Sequence, residues 1–182
     1  MKITTYGTRG SIPIARGDSA KYGGNTTSLR IFSDCIPDGT ALAVDAGSGF
    51  VPLCHGLLGE GIMDIAMIMT HYHHDHTQGF PLSPHPFMPG SNIKVWGPRE
   101  NGTGPQEVFS AIMKTPFFPM DYAMVRNGIT CKPLMHIGTQ VLAVHPEGGF
   151  SLMGLSPIKL PQATKKATAR LLKKKKISTI LS

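Results

Sequence analysis

Four histidines and an aspartate occupy the six positions 71–76 of this 182-residue chain, inside Thr70–Gly79 (Thr-His-Tyr-His-His-Asp-His-Thr-Gln-Gly). Imidazole nitrogen and carboxylate oxygen are the usual protein ligands of zinc and related divalent ions. In an extended segment residues two apart share a face, so His71 and His73 can address one ion. A turn after them can aim Asp75 and His76 to the other side, at a second ion or a substrate. The same alternation turns His74 away and Tyr72 toward the core. Three histidines and a carboxylate exceed what one catalytic ion takes, since such sites keep a position open for water. Two ions about 3.5–4 Å apart would use the set more fully.

Those side chains must be positioned by neighbouring elements. The apolar run Ile65–Met69 reads as part of a strand, Ile62 to Thr70, that delivers the histidine loop. Lys2–Tyr6, Ser28–Phe32 and Thr40–Val44 read as earlier strands, and Phe50–Leu58 as a short helix despite Pro52. A strand, a helix and a strand in that order predict parallel pairing through a crossover. Asp45-Ala46-Gly47-Ser48-Gly49 reads as a tight strand-to-helix turn; it lacks the lysine of a phosphate-cradling loop. Farther on, Ile93–Trp96 is a strand and Pro105–Thr115 a helix, with Val108, Phe109, Ile112 and Met113 on one side. Val141–Val144 is a last strand, ending at His145. With 21 Gly and 15 Pro, the class is a loop-rich α/β domain of ordinary core size.

Charge is unevenly placed. The net +7 comes from the C-terminal stretch, where Lys159, Lys165, Lys166, Arg170 and Lys173–Lys176 follow the last acidic residue, Glu147. The rest carries ten Lys and Arg against eleven Asp and Glu, a balance that does not describe a polyanion-binding body. Nucleic acid is therefore indicated only by the tail, through a basic helix over Thr164–Leu181. No window of about 18 apolar residues spans a membrane. Cys35, Cys54 and Cys131 are few, odd in number and without a Cys-x-x-Cys pair, which fits reduced thiols in the cytoplasm.

Thr70-His71-x-His73-x-Asp75-His76 after an apolar strand, followed by Gly79, resembles the signature of the metallo-β-lactamase fold. Gly7-Thr8-Arg9-Gly10-Ser11-Ile12-Pro13, Tyr22-Gly23-Gly24-Asn25-Thr26-Thr27 and Val44-Asp45-Ala46-Gly47-Ser48-Gly49 resemble its phosphodiesterase and tRNA 3′-processing-endonuclease side. Thr77–Pro81 and Pro116–Pro119 resemble segments of its small metal-dependent hydrolases. The resemblance covers 1–150 and implies an α/β fold, the αββα metallo-β-lactamase sandwich. It also implies that His71, His73 and His145 bind one metal and Asp75 and His76 the other, with Asp45 ordering the loop. The implied cofactor is Zn²⁺, one or two ions, with Mn²⁺ as the alternative. The implied activity is hydrolysis of a small-molecule or nucleotide phosphodiester through a metal-bound hydroxide, with Asp75 orienting the nucleophile. A thiolester or lactam hydrolase of the same fold is the other enzymatic reading. His55, His85 and His136 match nothing and read as surface histidines.

After His145 the chain departs from that pattern. The family's bridging aspartate and final histidine have no counterpart, because no Asp, Glu or His follows Glu147. The expectation is a sandwich incomplete in its second half, with 151–182 a basic, poorly ordered tail of a truncated or frameshifted reading. An inactive metal-binding fragment is then the alternative to an enzyme. An exposed sheet edge would favour pairing into a homodimer.

Overall fold

The computed structural model describes residues 1–134, 139–145 and 149–155. Within the last two strands, only the Val144 and Phe150 side chains are described. Of the predicted tail 151–182, residues 156–182 lie outside the described residues.

A six-stranded sheet forms the centre, in the order β1 (Lys2–Gly7), β2 (Ser28–Phe32), β3 (Thr40–Val44), β4 (Asp64–Ile68), β5 (Asn92–Pro98) and β6 (Ile129–Leu134). β1, β2 and β3 pair antiparallel, whereas β3, β4, β5 and β6 run parallel. The predicted crossover is present: α1 (Phe50–Gly59) joins β3 to β4. Pro52 sits in the first turn of α1, where a missing N–H breaks no helical bond. α3 (Pro105–Ile112) joins β5 to β6, and the Glu107 side chain turns back to accept from Gly104 N–H at 3.0 Å. α3 stops three residues before the predicted Thr115, the backbone leaving the helical region at Met113, where ψ is 64°.

Strand alternation sorts the side chains onto two faces. Ala41, Ala43, Ile65, Met67, Ile93 and Val95 lie in one buried cluster with Phe50, Leu53 and Leu57 of α1 and Phe109 of α3. Each such large side chain contributes about 1.5–3 kcal/mol of transfer free energy. Ile31, Leu42, Ala66 and Trp96 lie in the other cluster. They are covered by a two-stranded ribbon, β7 (Thr139–His145) and β8 (Gly149–Leu155), through Val144 and Phe150. The Phe150 ring stands 5.6 Å from that of Trp96. The described layers are thus helices, a sheet and a second β layer. β8 continues five residues past Phe150. No strand is predicted over Ile129–Leu134, since Lys132 and Pro133 obscure it. Among the described strands β6 is at the sheet edge, where a proline is tolerated.

One charged pair ties α1 to the sheet. Arg30, buried on β2, forks onto Glu60 at 2.7 and 2.9 Å. The Arg30 hydrogen bond holds the Glu60 carboxyl below its usual range. A depressed carboxylate pKa contributes stability that is present above the unfolded value and lost as pH falls through the folded one. Glu60 is 50% exposed, so solvent screening keeps this to about 0.5–1 kcal/mol. Glu60→Gln should therefore lower stability in urea melts near neutral pH and match wild type once the pH drops below the Glu60 range.

Candidate metal centre

The candidate ligands stand where β4 ends. Past Ile68 the chain stays in register for one more residue, with Met69 N–H donating to Trp96 O at 2.7 Å. Thr70 then turns onto Asp45, the residue just past the adjacent parallel strand β3. Its N–H and its hydroxyl donate to the two Asp45 carboxylate oxygens, both at 2.8 Å. Tyr72 points inward as predicted, half-buried, and its hydroxyl donates to Pro98 O at 2.5 Å. The chain next coils into a single helical turn, α2 (His74–Thr77). That turn is held to the turn after β3 by Ala46 N–H on His76 O at 2.7 Å and Gly79 N–H on Ala46 O at 2.8 Å.

This turn decides which ligands meet. The donor atoms of His71, Asp75 and His76 all lie within 4.8 Å of one another. The His71 and His76 rings are 4.0 Å apart, and His76 Nε2 is 3.6 Å from Asp75 Oδ2. His73 is exposed with its ring edge-on to His71 at 4.6 Å, beside that trio rather than in it. Sequence spacing pairs His71 with His73 and Asp75 with His76; the structure gathers His71 with the second pair. His74 is exposed, as alternation implied. His145 closes β7, and its side chain is outside the described residues.

Asp45 fixes both imidazoles. It is 2% exposed, and His76 Nδ1 lies 2.8 Å from its Oδ2. A carboxylate only accepts, so His76 carries its proton on Nδ1 and offers the Nε2 lone pair outward. The Thr70 hydroxyl spends its hydrogen on Asp45 and accepts from His71 Nδ1 at 3.0 Å. His71 therefore takes the same tautomer. One buried carboxylate, directly and through Thr70, leaves Nε2 of both rings with its lone pair, and that of His76 stands 3.6 Å from Asp75 Oδ2. Such a donor set fits a divalent ion.

The first loop closes the other side. Ser11, with φ 69°, donates its N–H to Asp75 Oδ2 at 2.9 Å. This bond, with smaller help from His76 and His71, holds the Asp75 carboxyl below its usual range. Ser11 was not foreseeable as a site residue, because it acts through its backbone. The 45–49 turn is no phosphate cradle. Its N–H groups are spent on Ile68 O, His76 O, Thr27 O, Thr26 Oγ1 and Thr26 O. His85 corrects the sequence reading: it is fully buried rather than on the surface, with Nε2 on Ile62 O at 2.9 Å.

Fold and site together define a mixed α/β scaffold that presents a histidine–aspartate cluster at the carboxyl ends of parallel strands. No family model matches the sequence, and no curated protein matches it. Solved structures do. The metallo-beta-lactamase fold protein YhfI from Bacillus subtilis is 17% identical, with 82% of this chain and 55% of that one covered at TM-score 0.48. The short form of human tRNase Z (ELAC1) is 18% identical, with 74% and 46% covered at TM-score 0.45. A diphosphatase from the PhnP family is 20% identical, with 81% and 59% covered at TM-score 0.45. The chain spans about half the length of these solved structures.

Proposed function

We propose that His71, Asp75 and His76, with His73 and His145, hold divalent metal in a hydrolase that cleaves phosphodiesters, with Zn²⁺ as the ion and Mn²⁺ as the alternative. One observation carries the metal: the donor atoms of His71, Asp75 and His76 lie within 4.8 Å of one another. The phosphodiester class rests on the resemblance of the 7–13, 22–27 and 44–49 segments. When bound, such an ion supplies a Lewis acid for a phosphoryl oxygen. The chain's own residues supply the rest. Asp45 and Thr70 orient the imidazoles, and the Ser11 N–H keeps the Asp75 carboxylate charged and engages one of its oxygens. His73, exposed beside the cluster, is placed to meet a substrate or a further ion. A cytoplasmic location accords with the absence of any disulfide among Cys35, Cys54 and Cys131. No described helix is long and apolar enough to cross a membrane.

A lesser reading is a metal-binding fragment without turnover, since among the described residues one His/Asp group, His71, Asp75 and His76, could hold an ion. Elemental analysis of dialysed protein should accordingly find about one equivalent of metal or less. Two full equivalents would overturn the one-ion expectation. Turnover of bis(p-nitrophenyl) phosphate with added Zn²⁺ or Mn²⁺ is expected, and His73→Ala should abolish it. Metal binding without turnover would favour the fragment.

A further inference from the structure

The sequence holds two Asn-Gly pairs, Asn101-Gly102 and Asn127-Gly128. In such a pair the main-chain nitrogen of the glycine can attack the asparagine side chain, because no Cβ on the glycine stands in the way. Both asparagines are exposed, so access to solvent does not separate them. Their backbones do.

Asn101 and Gly102 are the central residues of a tight turn between β5 and α3. Their φ angles are 50° and 84°, the left-handed pair for which Asn-Gly is the favoured sequence. Two main-chain bonds hold the turn, Glu100 N–H on Thr103 O at 2.9 Å and Thr103 N–H on Glu100 O at 2.8 Å. Glu100, Asn101, Gly102 and Thr103 are all exposed, and a methyl on Gly102 would meet nothing within 4 Å. Gly102 N–H has no hydrogen-bond partner among the described residues. A short exposed turn of this kind opens at little cost, and its peptide has room to rotate.

Asn127-Gly128 is built the other way. It closes the 3₁₀ turn Arg126–Gly128, where Gly128 N–H donates to Val125 O at 3.1 Å. Gly128 is packed so closely that a methyl on it would stand 2.9 Å from Ser91 O. Its nitrogen is spent, and the 127–128 peptide has a neighbour to clear before it can rotate.

We propose that Asn101 is a site of spontaneous modification, converting to aspartate and isoaspartate, and that the fold protects Asn127. Gly102 N gives its proton to hydroxide and bonds to Asn101 Cγ; the Cγ–Nδ2 bond breaks and ammonia leaves, closing a cyclic imide. Water then opens the ring. Attack at the side-chain carbonyl gives aspartate, and attack at the main-chain carbonyl gives isoaspartate. Either product puts a carboxylate next to Glu100. Isoaspartate also lengthens the main chain by a methylene, so Glu100 and Thr103 cannot keep both of their bonds.

The test holds the full chain in mildly acidic and in mildly alkaline buffer, folded and again unfolded in guanidinium chloride. Cleavage after Lys94, Lys114 and Lys132 puts the two pairs on separate peptides. Mass spectrometry reads the loss of each amide, and a protein-isoaspartate methyltransferase reads isoaspartate. In the folded chain the Asn101 peptide should convert, faster in alkali, and about tenfold or more ahead of the Asn127 peptide, the factor that one main-chain hydrogen bond sets. In the unfolded chain the two should convert at similar rates. Asn101→Gln should abolish the isoaspartate signal of its peptide, since the longer side chain closes the ring poorly. Three results would overturn the proposal: Asn101 keeping its amide while the unfolded chain loses it, Asn127 converting as fast as Asn101 in folded protein, or a difference between them that persists on unfolding. None of these bears on the metal centre.

Discussion

Asp45→Asn should lower the metal affinity of the 71–76 loop by about 10- to 100-fold, while leaving the melting temperature nearly unchanged. The substitution keeps the shape of the side chain and suits the backbone, since Asp45 has φ 57° and asparagine tolerates the left-handed region. What changes is the hydrogen bonding. Asp45 accepts from Thr70 N–H, the Thr70 hydroxyl and His76 Nδ1–H. An amide has only one acceptor oxygen, and its NH₂ must oppose one of these donors. Oδ2 accepts from both His76 and the Thr70 hydroxyl, so an NH₂ in its place moves the His76 proton to Nε2, the atom that should carry a lone pair toward the metal, and reverses the hydroxyl, with His71 following. An NH₂ in the place of Oδ1 meets the Thr70 N–H, which cannot reverse, and unseats Thr70. Long-range ¹H–¹⁵N spectra of the imidazoles read the tautomers directly in metal-free protein, and Co²⁺ titration against a competing chelator reads affinity. Thr70→Val should reproduce the His71 half of the effect, and Thr70→Ser should restore it. Unaltered tautomers and affinity in Asp45→Asn would remove the carboxylate from its assigned role.

Much of this arrangement was visible in residue types. The apolar run Ile65–Met69 pointed to β4, and the spacing from 71 to 76 singled out the candidate ligands. Their grouping was not visible. Period-two logic holds only while the chain is extended, and the helical turn from His74 to Thr77 begins inside the motif. That turn swings Asp75 and His76 back beside His71 and leaves His73 outside. Thr70 appears in the sequence as the last residue of a strand; its role exists only because an aspartate, Asp45, directly follows the parallel neighbour β3. His85 misled for a related reason. A proline-rich connection looks solvated, but the short 3₁₀ turn His85–Phe87 tucks it under the sheet. There a backbone carbonyl takes one nitrogen, a partner that no side-chain pattern records.

Gly79→Ala should unfold the centre as well as weaken it, costing on the order of 3 kcal/mol. Gly79 does not need an unusual backbone angle; it needs to have no side chain. A methyl there would land on the Gly47 carbonyl group and within 3.0 Å of Ala46 O. Gly47 has the converse problem, since a methyl on it would meet Asp75 O, Thr26 Oγ1 and Thr27 O. The two glycines let α2 and the turn after β3 lie backbone against backbone, with Gly79 N–H on Ala46 O. Backbone cannot move aside as a flexible side chain can, so the added methyl must push the 46–47 peptide outward. Asp45 moves with it and releases Thr70 and His76. Stability and metal affinity should therefore fall together, unlike in Asp45→Asn, where affinity falls alone. Gly56→Ala is the control: nothing lies within 4 Å of the added methyl, and a helix-interior alanine should stabilise by about 0.5–1 kcal/mol. A Gly79→Ala protein that melts and binds metal like wild type would show that this contact does not hold the ligand loop in place.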